Sequence, residues 1–170
     1  MAACLRFTKR VWKSFLENQG HDHRCFPSLK ILDAKPGVVE ASLKIEPYNI
    51  NRVGTAHGGF ILSLTDTLGS LAVASKGQYM TGVSVDIGTS FVKPAGKVGD
   101  ELRVKAIVTG IGKSLAYTRV DFFIAQGQLA AYGFHTKYVG KSAGHKHDVK
   151  FSEDGEKVIE GEDIPFEAID

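Results

Sequence analysis

Residues 38–46 alternate, with Val39, Ala41, Leu43 and Ile45 in one row and Val38, Glu40, Ser42 and Lys44, mostly polar, in the other. A period of two sets one row on a core and the other in water, which predicts a half-buried strand. The alternation returns after Gly82, where Val83, Val85, Ile87, Thr89 and Phe91 oppose Ser84, Asp86, Gly88 and Ser90. Strand-like runs follow at 102–109, 115–125 and 128–139. Their separators, Lys93-Pro94-Ala95-Gly96, Gly110-Ile111-Gly112 and Gln126-Gly127, are short turn formers, so neighbouring strands are expected to pair as antiparallel hairpins.

Two segments follow a different rhythm. Residues 58–76 hold no proline and are rich in Leu, Ala, Ser and Gly. The run is long enough to span a membrane, but Ser63, Thr65, Asp66, Thr67, Ser70 and Ser75 favour a helix buried inside protein. A helix apolar on most sides needs a sheet that wraps it, so the expected class is α+β: one domain, an antiparallel sheet curled around a central helix. Near the start, Leu5, Val11, Trp12, Phe15 and Leu16 recur at near-helical spacing among Arg6, Lys9, Arg10 and Lys13. That pattern suits a mitochondrial targeting helix and an amphipathic helix packed on the domain, and the second is preferred because no cleavage-like break follows. The expected organisation is an N-terminal helix and lead-in over 1–36, the core over 37–140, and an acidic, flexible tail over 141–170 in which Ile164-Pro165-Phe166 can dock.

Composition adds bounds. With 170 residues and 43% hydrophobic side chains, the chain can bury the core of one globular domain. The net charge of +2 conceals an asymmetry: after Gly140 four lysines face nine carboxylates, and the rest of the chain is basic. A basic body favours an anionic ligand, although ordinary solvated lysines explain it equally well. Cys4 and Cys25 cannot make a disulfide framework, so an intracellular compartment is expected, cytoplasmic or mitochondrial. His21-Asp22-His23 and His145-x-His147-Asp148 fall short of a metal ligand set.

Candidate chemistry concentrates between residues 51 and 66. Gly58 and Gly59 open the buried helix, where free backbone N–H groups form a partial positive site that can polarise a carbonyl. Asn51 can add an amide donor or close the loop, and His57 can donate to a ligand or brace Asn51. Asp66 is the candidate base or nucleophile, because a carboxylate on an apolar helix is poorly solvated. Eight residues of helix separate it from Gly58, roughly 12 Å, far beyond the ~3 Å reach of a base. A single chain cannot unite them, so a catalytic reading requires a homodimer with composite sites. Ser84, on the next strand, can help hold a water.

Asn51-x-x-Gly54-Thr55-x-His57-Gly58-Gly59 followed by Asp66 resembles the motif of the hotdog-fold acyl-CoA thioesterases, the acyl-CoA thioesterase 13 and phenylacetate-type branch. The likeness extends through Gly82-Val83-Ser84-Val85-Asp86, Pro94-Ala95, Gly112-Lys113-Ser114-Leu115-Ala116 and His135-Thr136-Lys137, about residues 10–140. The resemblance implies a hotdog domain assembled as a homodimer and further as a homotetramer, hydrolysing acyl-coenzyme A without a cofactor or metal. Gly58 would hold the thioester carbonyl, with His57 and Asn51 organising that end. Asp66 of the partner subunit would activate water or attack directly, and Ser84 would place the water. Coenzyme A would lie near Asp86, Phe91, Gly110, Gly112, Lys113, Ser114 and Leu115, with Lys137 as a phosphate partner and Tyr138 at the edge.

Rival readings are fewer. Gly140-Lys141-Ser142-Ala143-Gly144 matches a serine-hydrolase elbow, but no buried helix follows it. A hydratase or dehydratase on acyl thioesters would use His57 as base, and a non-catalytic acyl-CoA-binding module would dispense with Asp66. Neither nucleic acid nor an integral membrane segment is expected. Phe60, Leu64, Leu68 and Tyr79 are candidate walls of an acyl pocket.

Overall fold

In the computed structural model, which describes residues 1–166, the long apolar segment is the helix at the centre of the protein. Three helices precede or interrupt the strands: α1 (Ala3–Glu17), α2 (His21–Cys25) and α3 (Gly58–Ala74). Six strands form one antiparallel sheet: β1 (Lys30–Lys35), β2 (Val38–Lys44), β3 (Val83–Phe91), β4 (Glu101–Ile111), β5 (Leu115–Ile124) and β6 (Gln128–Tyr138). Their spatial order is β1-β2-β4-β5-β6-β3. The sheet curls over α3, which touches β2 to β6.

Every residue of the chain from Thr67 to Ser75 is buried, and Leu64, Leu68 and Leu71 retain no exposure. Each such leucine contributes about 1.5–3 kcal/mol relative to an exposed one. From the sheet, Leu102, Val104 and Ala106 of β4 and Val120 and Phe122 of β5 complete the core, at the alternate positions that the period of two requires. At the β5–β6 connection Gln126 and Gly127 both take positive φ (63° and 70°), the backbone that a tight hairpin needs.

One pairing departs from the expected hairpin series. β3 does not turn back onto β4; it pairs antiparallel with β6 at the far edge, with Val83 opposite Tyr138 and Phe91 opposite Ala131. The segment after Phe91 is a crossover instead of a hairpin turn. It runs past the end of α3, tied by Ala56 N to Gly96 O and by Gly99 N to Ile45 O. β4 then enters beside β2. Local turn chemistry marks the bend but not the neighbour.

α1 packs on the domain through Cys4, Phe7, Thr8, Val11 and Trp12, the stripe expected of an amphipathic helix. Among the described residues, no helix is long and apolar enough to cross a membrane.

The expectation of a loose tail is corrected through residue 166. β7 (Lys150–Phe151) and β8 (Val158–Glu160) form a small hairpin that caps α1. The first turn of α1 has no side-chain cap. Ala3 N–H and Cys4 N–H instead donate to Glu156 O (3.2 Å) and Gly155 O (2.9 Å), satisfying helix-end donors. Arg6 grips both carboxylate oxygens of Asp163 at 2.6 and 2.7 Å, and Phe7 meets Phe151 edge to face. Ile164, Pro165 and Phe166 line a cleft with Arg10, Lys13 and Tyr79. Residues 167–170 lie outside the described residues. A strongly acidic composition hides this docking, because the apolar anchors are few and scattered.

The seam between tail and body closes at Gly77. Its carbonyl accepts from Val149 N–H at 2.9 Å, its φ is +95°, and an added Cβ would stand 2.0 Å from Val149 O. Gly77→Ala is expected to lower stability by about 1–3 kcal/mol in urea denaturation; an unchanged midpoint would show that this seam contributes nothing.

Candidate active site

The loop ahead of α3 is built by Asn51. Its Oδ1 accepts from Val53 N–H (3.0 Å) and Thr55 N–H (3.2 Å), and its Nδ2 donates to Thr55 Oγ1 (3.0 Å). The side chain therefore closes a turn on its own backbone, as Asn does when it competes for local amides. His57 is the N-cap of α3, with Nδ1 accepting from Gly59 N–H at 2.9 Å. With that amide taken, the Gly58 N–H has no protein acceptor among the described residues, and it carries the positive end of the helix dipole. Phe91 closes one side: a Cβ on Gly58 would lie 3.3 Å from its ring. Asn51, Thr55, Gly58, Ile61, Phe91 and Pro94 line an open cleft of about 410 Å³.

Two turns further along α3, a second polar cluster surrounds Asp66. The Asp66 side chain is 52% exposed, just before the stretch of α3 that is wholly buried. His135 and Lys137 reach it from β6: His135 Nε2 lies 3.6 Å and Lys137 Nζ 4.0 Å from Asp66 Oδ1. His135 Nε2 also lies 2.9 Å from Ser84 Oγ of β3, and Lys137 Nζ donates to Ser70 Oγ at 2.6 Å. Beside Asp66 on the helix, Thr67 Oγ1 donates to Asp22 Oδ1 of α2 at 2.5 Å.

Burial fixes the charge of the imidazole. His135 has no exposure, and the lost hydration pushes it down to about 4; the Lys137 ammonium pushes the same way and Asp66 opposes both. At neutral pH the ring is uncharged. Among the described residues its buried Nδ1 has no hydrogen-bond partner; it lies over Gly69, where a Cβ would lie 2.9 Å away. The proton is best assigned to Nε2, because a buried unpaired N–H is rarer than a buried unpaired acceptor. Nε2–H then donates to Ser84 Oγ, leaving the serine O–H free to turn toward Asp66 or a water. Lys137 is also pushed down by burial, with the Asp66 and Asp22 carboxylates opposing.

The structure divides the sequence-predicted residues into two groups. Asn51, His57, Gly58 and Phe91 gather at the N-terminus of α3. Asp66, Ser84 and Lys137 gather with His135 along the helix. Leu115 and Tyr138 continue from that second group, as register partners at one end of the sheet. Gly110 lies beside a bulge of β4, and exposed Gly112, Lys113 and Ser114 form the β4–β5 turn, with Ser114 O accepting from Val139 N–H. Asp86 is exposed on β3 opposite Thr136.

Two expectations are corrected. Lys137 points inward with its side chain 4% exposed, so Nζ meets Ser70 and Asp66 instead of solvent-borne phosphate. Its parity on β6, shared with Ala131, Gly133 and His135, carries that information in the sequence. Phe60, Leu64 and Leu68 are core residues, and Tyr79 stacks on His145 at 5.3 Å, away from the Asp66 cluster. His135, which the family resemblance includes in His135-Thr136-Lys137 without a role, and Ser70 join the site unpredicted, since a buried histidine and a helical serine read as ordinary packing. Among the described residues, no three His, Cys, Asp or Glu side chains gather as a metal site.

Comparison with known proteins identifies the family. Residues 53–131 match the family model described as Thioesterase superfamily. Human acyl-coenzyme A thioesterase 13 is 36% identical over 118 residues, covering 69% of this chain and 84% of that one. The crystal structure of zebrafish thioesterase superfamily member 2 superposes with a TM-score of 0.72 at 33% identity, covering 78% and 95% of the two chains. A Streptococcus pneumoniae thioesterase protein, solved with coenzyme A, gives 0.64 at 26% identity over 68% of this chain and 88% of its own. The chain belongs to the thioesterase superfamily and is a thioester hydrolase built on a single hotdog domain.

Proposed function

We propose that the protein hydrolyses acyl-coenzyme A to free acid and coenzyme A, at sites shared between two protomers. The observation that carries this reading is the separation of two exposed chemical groups on one continuous helix. The Gly58 N–H and the Asp66 carboxylate stand eight residues apart, about 12 Å along the axis, so they serve one substrate only if they come from different chains. β3 supports such a pairing. It is an edge strand with β6 as its neighbour, and its Val83, Val85 and Phe91 are 64%, 60% and 57% exposed. An open apolar edge is a template for a second copy of the same strand. Tyr117, Tyr132 and Phe134, exposed on the outer face of the sheet, favour further association of dimers into a tetramer.

In this reading the thioester carbonyl accepts from Gly58 N–H, and the helix dipole stabilises the oxyanion that develops on attack. Asn51 holds the loop that presents this amide, and His57 caps the helix behind it. The partner subunit's Asp66 takes a proton from the attacking water, which is steadied by Ser84 in its bond with neutral His135. The thiolate of coenzyme A leaves and is protonated from solvent. Coenzyme A itself runs past Asp86, Phe91 and the turn at Gly110 to Leu115, with Lys113 available to a phosphate and Tyr138 at its border. The commitment of His57 Nδ1 to Gly59 N–H weighs against a dehydratase, in which that histidine would be the base.

Asp66→Ala is expected to lower kcat for acyl-CoA hydrolysis by about 10²–10⁴-fold, measured by free-thiol release, with the oligomer intact. His57→Ala should cost much less, mainly through its cap, worth about 1 kcal/mol of stability; the reverse ranking would favour the dehydratase. Mixing inactive Asn51→Ala and Asp66→Ala chains should regenerate one intact site per mixed dimer and recover about a quarter of wild-type activity from random pairing. No recovery in verified mixed dimers would remove the shared site.

A further inference from the structure

We infer that Leu62 lies on the two-fold axis of the dimer, packed against the partner's Leu62, and that this apolar pair is the wall between the two shared sites. The inference deepens the shared-site reading above and rests on it. Within α3 the exposed residues are Gly59, Leu62 and Asp66, with Gly58 and Ser63 half-buried and every other position buried. Gly58, Leu62 and Asp66 are spaced four apart, and each step of four turns the helix by about 40°, so the three form one stripe about 80° wide. A single exposed leucine is ordinary on a protein surface. This one, 37% exposed, stands in the stripe that carries both chemical groups, on a helix otherwise turned inward.

The position follows from symmetry. A two-fold axis that sets Gly58 opposite the partner's Asp66 must also set Asp66 opposite the partner's Gly58. The point midway between them, four residues from each, is the one that meets itself, and that residue is Leu62. Neighbouring elements border this strip without covering it. On one flank His21 of α2 reaches Ser63, with Nε2 3.0 Å from Oγ; on the other the Phe91 ring of β3 lies against Gly58. β3 follows the same span, from Phe91 beside Gly58 to Ser84 in the Asp66 cluster. The open edge of the sheet and the open strip of the helix therefore lie level with each other.

The dimensions allow the contact. Packed helices stand about 8–10 Å apart and carry their Cα atoms about 2.3 Å off the axis, so facing Cα atoms lie about 3.5–5.5 Å apart. Two leucines meeting head-on need the upper end of that range. Each shared site then lies about 6 Å along the helix from the two-fold axis, one on either side of the leucine pair. The bulk of the pair holds the helices at the distance where a thioester and a water fit between the Gly58 amide and the partner's Asp66. Its apolar surface keeps the waters of the two sites apart. Leu62 is thus a positioning residue, touching no reacting atom and setting the gap that the reacting atoms occupy.

Leu62→Cys in the full chain tests the axis directly, in a Cys25→Ser background that leaves buried Cys4 as the other thiol. Two cysteines facing each other on the axis fall within the roughly 4.4–6.8 Å Cα range of a disulfide, so oxidation by diamide should convert most of the protein to a covalent dimer on a non-reducing gel. Asp66→Cys in the same background should stay uncrosslinked, because its two copies stand about 12 Å apart along the helices. For the spacing role, Leu62→Ala is expected to lower kcat about tenfold, with KM within about twofold and the dimer intact, and Leu62→Met to keep kcat within about twofold of wild type. No covalent dimer from Leu62→Cys, or cross-linking through Asp66→Cys, overturns the axis. An unchanged kcat in Leu62→Ala overturns the spacing role. Failure of the axis and failure of the shared site are told apart by the mixed Asn51→Ala and Asp66→Ala chains. Recovered activity without a Leu62→Cys dimer removes the axis alone, whereas a Leu62→Cys dimer without recovered activity supports the axis and removes the shared site.

Discussion

The structure depends on the enclosure of α3. A helix with mean composition this apolar is stable only where something covers it on most sides, and the curled sheet together with α1 does so from Thr67 onward. The cover is incomplete just before Thr67, where Leu62 and Asp66 are exposed. Asp66 lies at that gap, its carboxylate half in water and half against β6. One turn further along, a carboxylate would be in the core and would have to be neutral or fully paired. The chemistry of the site follows from where the wrapping stops.

Polar side chains under that boundary are arranged by the same packing. Gly69 lets the His135 ring lie directly on the helix, and Thr118 Oγ1 donates to the His135 carbonyl at 3.1 Å, holding β6 at this level. A neutral imidazole results, because a protonated ring there would sit beside the Lys137 ammonium without solvent. Its uncharged N–H then orients a serine, while the Lys137 ammonium is held by Ser70 Oγ at 2.6 Å. Two basic residues that lie two positions apart in sequence are therefore given different partners, Ser84 and Ser70.

Much of this is legible in the order of the amino acids. The alternation at 38–46 and 83–91 locates strands, the proline-free run locates the central helix, and the eight-residue spacing from Gly58 to Asp66 is what motivates the proposal of a second chain at the site. Pairing is less legible, since β3 takes β6 and not β4, a choice made by the whole sheet and not by the turn residues at 93–96. The acidic segment after Gly140 misleads for a related reason: composition measures the average, while docking needs only Val149, Phe151, a few carbonyls and one arginine partner for Asp163. Lys137 invites a wrong reading because charge suggests a surface. Its parity on β6, which says inward, is the more reliable signal, as the period of a strand fixes direction whereas side-chain type only shifts the odds.

The unpaired edge of β3 links fold and function more closely than either would suggest alone. A sheet that wraps its helix must have two edges, and one of them here is covered by chain: β1 lies beneath α1. Leaving the other open, apolar and next to Ser84 and Asp66 would be an aggregation hazard unless a specific partner closes it. The two-fold pairing proposed across β3 would remove the hazard and carry the Gly58 amide of one protomer toward the Asp66 of the other. In that proposal the dimer is not an addition to a finished active site. The same exposed strand that leaves the isolated chain incomplete as a sheet would leave it incomplete as a catalyst, and one contact would repair both.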